Sequence, residues 1–380
     1  MADFARSQHP QVQAQLDRLS LLSPETERAV RQGAVLGRRF SSRLLQVCLQ
    51  TIPTDVEQLL REAAQLRIVR RVADGDRNEF EFAHDRLREA VLRNLTDDTR
   101  RELHLRAAHA LQGPSEVRAD YDVAYHFDRA GHAAAAVPYA LRAGEAGLRR
   151  NALDVAERNF KIAETGLALC ESADDIARFR LYEGLGTVHM LLGSYDLAAH
   201  ELARAHELTG THSGLDAARI AALLGELAFK TGRFDDATDW MLRGMQGLDL
   251  RMPRSSAHAA LLAVSEVGLL ALGWLSRRLR LGRATVDTER CRLAALIHDR
   301  LVYQLWFIKS PIWVVLAILR CARFANTAGG TRERAHAYCG AAVISGIAPI
   351  LAPLALRLAD VPRAVGAAES VEAALVSLRE

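Results

Sequence analysis

The chain has 380 residues, a formal net charge of +3 and 49% hydrophobic residues, which allows two or three domains with sizeable cores. So small a net charge provides no global field for nucleic acid or a membrane surface, and the bias of 46 arginines to 3 lysines is compositional rather than mechanistic. Five cysteines, Cys48, Cys170, Cys291, Cys321 and Cys339, lie far apart without a CxxC pair. That speaks against a zinc site or a disulfide framework and predicts a reducing, cytoplasmic setting.

Residues 1–20 form an N-terminal segment that lacks the apolar centre of a secretory signal. The next stretch, "LLSPETERAVRQGAVLG", carries helix-start signals: Ser23 as cap, Pro24 in the first turn, and Glu25 and Glu27 complementing the dipole. Gly37 is placed to end that helix. "SSRLLQVCLQTI" predicts a second helix and "TDVEQLLREAAQL" a third, capped by Thr54 or Asp55. "RIVRRVADGDRNEFEF" alternates on both sides of Asp74-Gly75, which signals a hairpin with strands near 68–73 and 78–83.

Three helices followed by a two-stranded wing make a winged-helix-like domain over residues 21–112. Its third helix carries Asp55, Glu57 and Glu62 against Arg61, a poor surface for phosphate. In the wing, Arg67, Arg70, Arg71 and Arg77 are offset by Asp74, Asp76, Glu79 and Glu81. A protein-facing role fits better than DNA reading.

The wing's second strand runs straight into a helix in "FEFAHDRLREAVLRNL". Phe80 and Phe82 are expected in the core, with Leu87, Val91 and Leu95 packing the next helix against it. His84 and Asp85 then fall at a surface helix start, beside Arg86 and Arg88. Asp85 is expected to cap that turn.

Residues 115–250 contain a repeat. Leu185, Gly186, Gly193, Tyr195, Ala198, Leu202 and Ala205 recur 39 positions later as Leu224, Gly225, Gly232, Phe234, Ala237, Met241 and Gly244. A weaker copy has Gly144, Ala156, Phe160 and Ala163. The pattern resembles the tetratricopeptide repeat, in which small residues let antiparallel helices approach and a large residue at the turn fills the space between pairs. The usual proline after the second helix is absent and the units are longer than usual, which predicts longer helices with irregular joints. Gly186 and Gly225 are expected at helix crossings.

Residues 251–380 read as divergent helical repeats broken at Pro311, Gly329-Gly330 and Pro349. "SPIWVVLAIL" is too short to span a bilayer, and "AAVISGIAPILAPLAL" has two prolines, so buried helices are expected instead. No polar capping helix closes this end, which is the expectation for a fragment of a longer protein or one part of an assembly. The fold class expected overall is all-α: a winged-helix-like domain with one small β-hairpin, then a tetratricopeptide-like α-superhelix of antiparallel helix pairs.

Little in the sequence points to catalysis. It contains no GxxxxGK[ST] and no GxGxxG with a following acid. His200 and His206, and likewise His104 and His109, are wrongly spaced to share a site on one helix face. Arg277, Arg278, Arg280 and Arg283 form a basic cluster that reads as a solvated loop. No enzyme activity, cofactor or metal is expected.

The winged-helix pattern, the junction "FEFAHDRLREAVLRNL", "RRELHLRAAHAL" and the repeats, in that order, resemble the region after the nucleotide-binding core of bacterial STAND-class signalling ATPases. Those proteins are fused to kinases, cyclases or LuxR-type regulators. The resemblance implies that the winged helix packs on an ATPase module and that His84, with Asp85, Arg86 and Arg88, approaches a bound nucleotide. The P-loop module itself is missing, so nucleotide hydrolysis does not carry over. The implied function is a non-catalytic regulatory or scaffold module in bacterial signal transduction, binding a protein partner (an ATPase, kinase or regulator on a separate chain) or an inducer. Alternatives are a nucleic-acid-binding regulator and a membrane-associated scaffold; neither nucleic acid nor a stable membrane span is favoured by the residues.

Overall fold

The structure is a computed structural model, and it describes residues 18–49, 55–72, 78–112, 119–170, 174–211, 214–278, 287–308 and 310–328. The residues before 18, Thr54, the Asp74-Gly75 tip, Arg77, Arg280, Arg283 and everything after Ala328, including the two expected C-terminal helices, lie outside the described residues. Within them the chain is helical apart from one small antiparallel sheet. It divides into two compact units, Met1–Val188 and His189–Glu380.

The first unit opens with α1 (Pro24–Leu36), where the Ser23 hydroxyl accepts from the Thr26 N–H, and the helix ends at Gly37 with φ +141°. Then come β1 (Arg39–Ser41), α2 (Ser42–Cys48) and α3 (Val56–Gln65), the last capped by Asp55 accepting from the Glu57 N–H at 3.0 Å. β2 (Val69–Arg71) and β3 (Glu79–Phe82) lead into α4 (Asp85–Arg93). Phe80 and Phe82 are buried in one cluster with Leu45, Leu60, Ile68, Leu87 and Val91, as the alternation predicts. Leu95 packs instead with Val35 and Leu103.

The sheet has three strands in the order β1-β3-β2, where the sequence reading expects two. Three residues between Gly37 and Ser42 are too few to show alternation, and their ladder partner lies far along the chain. Phe40 at the centre of β1 stacks on Phe82 at 5.8 Å and fills the space above Gly33. The register places Arg39 and Arg70 on either side of Glu81. Both guanidinium groups bind its carboxylate, at 3.1 and 2.6 Å, so an acid on the middle strand is covered rather than unpaired.

Helices α5 (Asp97–Leu111), α6 (Ala119–Arg129), α7 (Ala133–Arg149) and α8 (Leu153–Ala168) follow, each packed on the next. α9 (Asp175–Leu191) contributes Leu181, Leu185 and Val188 to a core shared with α7 and α8. In the second unit, α11 (Gly214–Lys230) pairs with both α10 (Tyr195–Leu208) and α12 (Phe234–Gly247). α15 (Pro311–Ala328) packs on both α14 (Thr288–Ile308) and α13 (Ser256–Arg278).

Among the described residues, six helix ends share one closure. Arg67, Gly131, Asn151, Gly193, Gly232 and Asp249 have φ between +54° and +81°. The N–H of the next residue then reaches back five positions, as from His132 to Phe127, Ser194 to His189 and Arg233 to Ala228, at 2.8–2.9 Å. This left-handed stop satisfies carbonyls that the helix leaves open. Gly193 and Gly232 are the repeat landmarks that the 39-residue period picks out.

α13 and α15 are long and apolar enough to cross a membrane by length and composition. α15, at 18 residues, extends well beyond the ten-residue stretch "SPIWVVLAIL". Length and composition alone do not make spans of these two helices, which meet through Ala259, Ala263 and Leu316 and through one buried ion cluster. Glu266 of α13, 5% exposed, accepts from Arg320 at 3.2 Å and Arg323 at 2.5 Å on α15. The opposite side of α13 carries Leu261, Val264 and Leu272, which are 64–72% exposed.

Candidate functional site

His84 stands at the exposed start of α4, in extended backbone conformation, and makes no side-chain capping bond. Asp85 is the first residue of the helix rather than its cap, and its carboxylate pairs with Arg38 at 3.1 Å, so the capping expectation is corrected. Arg88 turns inward and donates from Nε to the Ala34 carbonyl at 2.8 Å, which ties α4 to α1 and takes that cation away from the His84 surface. Arg86 is exposed beside His84.

The acids of α3 have structural work. Glu62 accepts from the Ser23 N–H and hydroxyl at 2.8 and 2.9 Å and from the Thr26 hydroxyl at 2.5 Å. It therefore sits on the N-terminus of α1, and the Ser23 backbone bond leads the causes that hold its carboxyl below the usual range. Glu57 pairs with Arg71 and also accepts from Ser42.

The repeat landmarks are mostly interior. Ala156, Phe160, Ala163, Ala198, Leu202, Ala205, Ala237 and Met241 are fully buried, and Leu185 nearly so. Gly144, Gly186, Gly225 and Gly244 are buried, whereas Leu224 and Tyr195 are half-buried. A Cβ on Gly225 would lie 3.0 Å from Met241 Cε, and one on Gly244 would lie 3.2 Å from the Ala218 carbonyl. Phe234 departs from expectation. It is 51% exposed and meets Phe229 edge-on at 5.5 Å.

Two cavities among the described residues of the second unit share Arg300. The larger, about 370 Å³, is lined by Leu215 and Arg219 of α11, Leu293 and Leu296 of α14, and Cys321 of α15. Its rim is ionic: Arg219 pairs with Asp216 at 2.7 Å and Glu289 at 3.0 Å. Cys321 is no nucleophile, because burial pushes its thiol up to about 12. The smaller cavity, about 190 Å³, is lined by Glu226, Phe229 and Lys230 of α11, Met241 of α12, and Arg300 and Gln304 of α14.

On two residues that line the smaller cavity, the Gln304 Oε1 and the Arg300 Nε are buried without a hydrogen-bond partner. Gln304 is only 2% exposed. A buried polar group left this way costs about 1–3 kcal/mol. Sequence reasoning missed this cavity, because Glu226, Met241 and Gln304 come from three helices with no shared spacing. Their only signal is a glutamine within the apolar "RLVYQLWFI".

A second missed grouping is His104 of α5 with His126 of α6, whose Nδ1 atoms lie 2.9 Å apart in the buried interior of the first unit. Burial lowers their values to about 3 and about 4, so both imidazoles are neutral at pH 7 and one donates to the other. His206 instead stacks edge-on with Trp240 at 5.1 Å. Among the described residues, no group of three or more His, Cys, Asp or Glu side chains is placed to hold a metal.

No family model matches the chain, and no curated protein matches it. Among solved structures, BtubC (BKLC) from P. vanneervenii is 15% identical, with a TM-score of 0.30 over 67% of this chain and 94% of its own. A Signal Transduction ATPase with Numerous Domains (STAND) protein with a tetratricopeptide repeat sensor, from Pyrococcus horikoshii, is 13% identical, with a TM-score of 0.31 over 90% of this chain. The chain spans 59% of that protein's length.

Proposed function

We propose that the chain is a non-catalytic, cytoplasmic regulatory module that binds a protein partner or an inducer through its helical repeats, with residues 21–112 acting as a winged-helix-like relay. The observation that carries this reading is the 370 Å³ cavity between α11, α14 and α15. Apolar walls rimmed by fixed charges suit recognition by burial, with a few polar groups setting orientation. Leu296, 41% exposed on its edge, is placed to meet an apolar anchor. The partner class is the one the sequence resemblance implies, an ATPase, kinase or regulator on a separate chain.

The test is calorimetric titration of the purified chain with the signalling ATPase or kinase encoded beside it. Saturable binding that Leu296→Glu abolishes is the expected result. Absence of binding, or equal binding by that variant, rejects the reading.

The nucleic-acid alternative is disfavoured by the pairing of the sheet's cations. Arg39 and Arg70 are held by Glu81, and Arg71 by Glu57. A duplex-DNA shift assay is expected to show no tight, steeply salt-dependent binding.

A further inference from the structure

We infer that the exposed face of α13 is a homodimer interface, on which a second copy of this chain lays its own α13 antiparallel, the two helices crossing at Gly268.

α13 is packed on one side. Ala259, Ala263 and Leu270 are buried, the first two against Leu316 of α15, and Glu266 is held by Arg320 and Arg323. The opposite side is apolar as well: Leu261, Val264, Leu269, Leu272 and Leu275 are 43–72% exposed. Ser265, Gly268 and Ala271 are exposed among them, and the Ser265 hydroxyl donates to the Leu262 carbonyl of its own helix at 2.7 Å. The single charge between Leu261 and Leu275 is the buried Glu266.

Five aliphatic residues exposed to that degree present roughly 500 Å² of apolar surface, as much as the largest patch on a typical monomer. Two such faces brought together remove about 1,000 Å² from water, the area at which specific interfaces begin.

The pattern on this face is its own complement. Leu261 and Leu275 lie seven residues before and after Gly268, and Val264 and Leu272 lie four before and after it. Steps of four and seven stay on one face of a helix. A stripe symmetric about its midpoint matches a copy of itself run in the opposite direction. Leu261 then meets Leu275 of the partner subunit and Val264 meets Leu272 of the partner subunit, the reciprocal contacts of a two-fold interface.

Gly268 stands at the midpoint of the stripe. A Cβ there would meet nothing within 4 Å, so no neighbour within the chain requires its small size. Glycine in the middle of a helix is less favourable than alanine. A second helix crossing closely at this point gives it a use.

Charge sets the direction. Arg278, which is exposed, ends the helix. A parallel pair would bring two copies of that cation together. The antiparallel pair holds them about 30 Å apart and opposes the two helix dipoles.

The experiment is sedimentation velocity of the full chain over a range of concentrations, where a reversible monomer–dimer equilibrium is expected. Val264→Glu and Leu272→Lys are each expected to weaken the dimer about tenfold or more. An equimolar mixture of the two variants is expected to recover dimer, because antiparallel pairing sets their opposite charges against each other and parallel pairing does not. If either variant does not melt cooperatively, Gly268→Glu, at a site open within the single chain, is expected to weaken the dimer in its place.

A wild-type chain that stays monomeric at every concentration overturns the inference, and two readings then tell what covers the face. Variants that melt below the wild-type monomer assign it to residues 329–380 of this chain. Co-sedimentation of wild type, but not the variants, with phosphatidylcholine–phosphatidylglycerol vesicles assigns it to a lipid surface. A dimer that the variants leave intact, or a mixture that recovers none, also overturns the antiparallel α13 interface.

Discussion

The ring of Phe160 on α8 occupies the place where a side chain on Gly184 of α9 would have to begin: a Cβ there would stand 2.2 Å from the ring's Cζ. The same end of that ring meets Gly144 of α7, where a Cβ would stand 2.7 Å from Cε1. One aromatic residue is thus clamped between two glycines on neighbouring helices. Gly184→Ala is expected to overpack this crossing and cost about 1–3 kcal/mol, read as a lower urea midpoint at unchanged slope. Pairing it with Phe160→Leu should recover part of the loss; a purely additive double variant would show that the two residues do not share the space.

The buried histidines make the first unit sensitive to mild acid. His104 and His126 fall from the ordinary 6.5 to about 3 and about 4 on folding, so the unfolded chain takes up protons first. Their contribution is complete above about pH 6.5 and is lost as the pH falls through that value toward 4. His298, brought to about 4 by burial in the second unit, acts in the same direction. The urea midpoint is therefore expected to decline between pH 6.5 and 4.5, and His104→Phe/His126→Phe should flatten that decline to what His298 leaves. An unchanged slope in the double variant would reject the neutral-pair assignment.

Glu62 has the opposite partners and a lower window. Its folded value lies below the usual 4.5, so its contribution is present above that value and is lost as the pH falls through the depressed one. Glu62→Gln is expected to destabilise the chain at pH 7 and to show a smaller loss than wild type on going to strongly acidic conditions. Equal acid sensitivity in the two proteins would mean that the bonds to Ser23 and Thr26 add nothing.

Glu266 holds two arginines between α13 and α15, and Arg320 is itself buried. Glu266→Leu leaves that guanidinium without its counter-charge and is expected to cost about 3–5 kcal/mol. Replacing Glu266 and Arg320 together by leucine should cost far less, because the desolvation penalty of that buried pair disappears with its charges. Chemical denaturation of the single and double variants separates this from mere loss of packing volume.

Elements with strong local signals were readable from the residues. Ser23-Pro24 and Asp55 start helices where expected, and Gly193 and Gly232 stop them, because caps and left-handed stops depend on neighbouring residues alone. The 39-residue period located buried positions such as Ala198, Leu202, Ala237 and Met241 for the same reason: a repeat displays its core face twice. The third strand escaped notice, since β1 exists only through its ladder with β3. That Phe160 fills the space at Gly184 depends on how α8 packs against α9, which no spacing along the chain displays. Asp85, Glu62 and Arg88 found partners on α1 or the residues flanking it that no spacing rule connects to them. The same holds for the Gln304 cavity. A period places each residue on a face of its own helix; which faces of α11, α12 and α14 converge, and so which polar atoms are left without partners, depends on packing between helices distant in the chain.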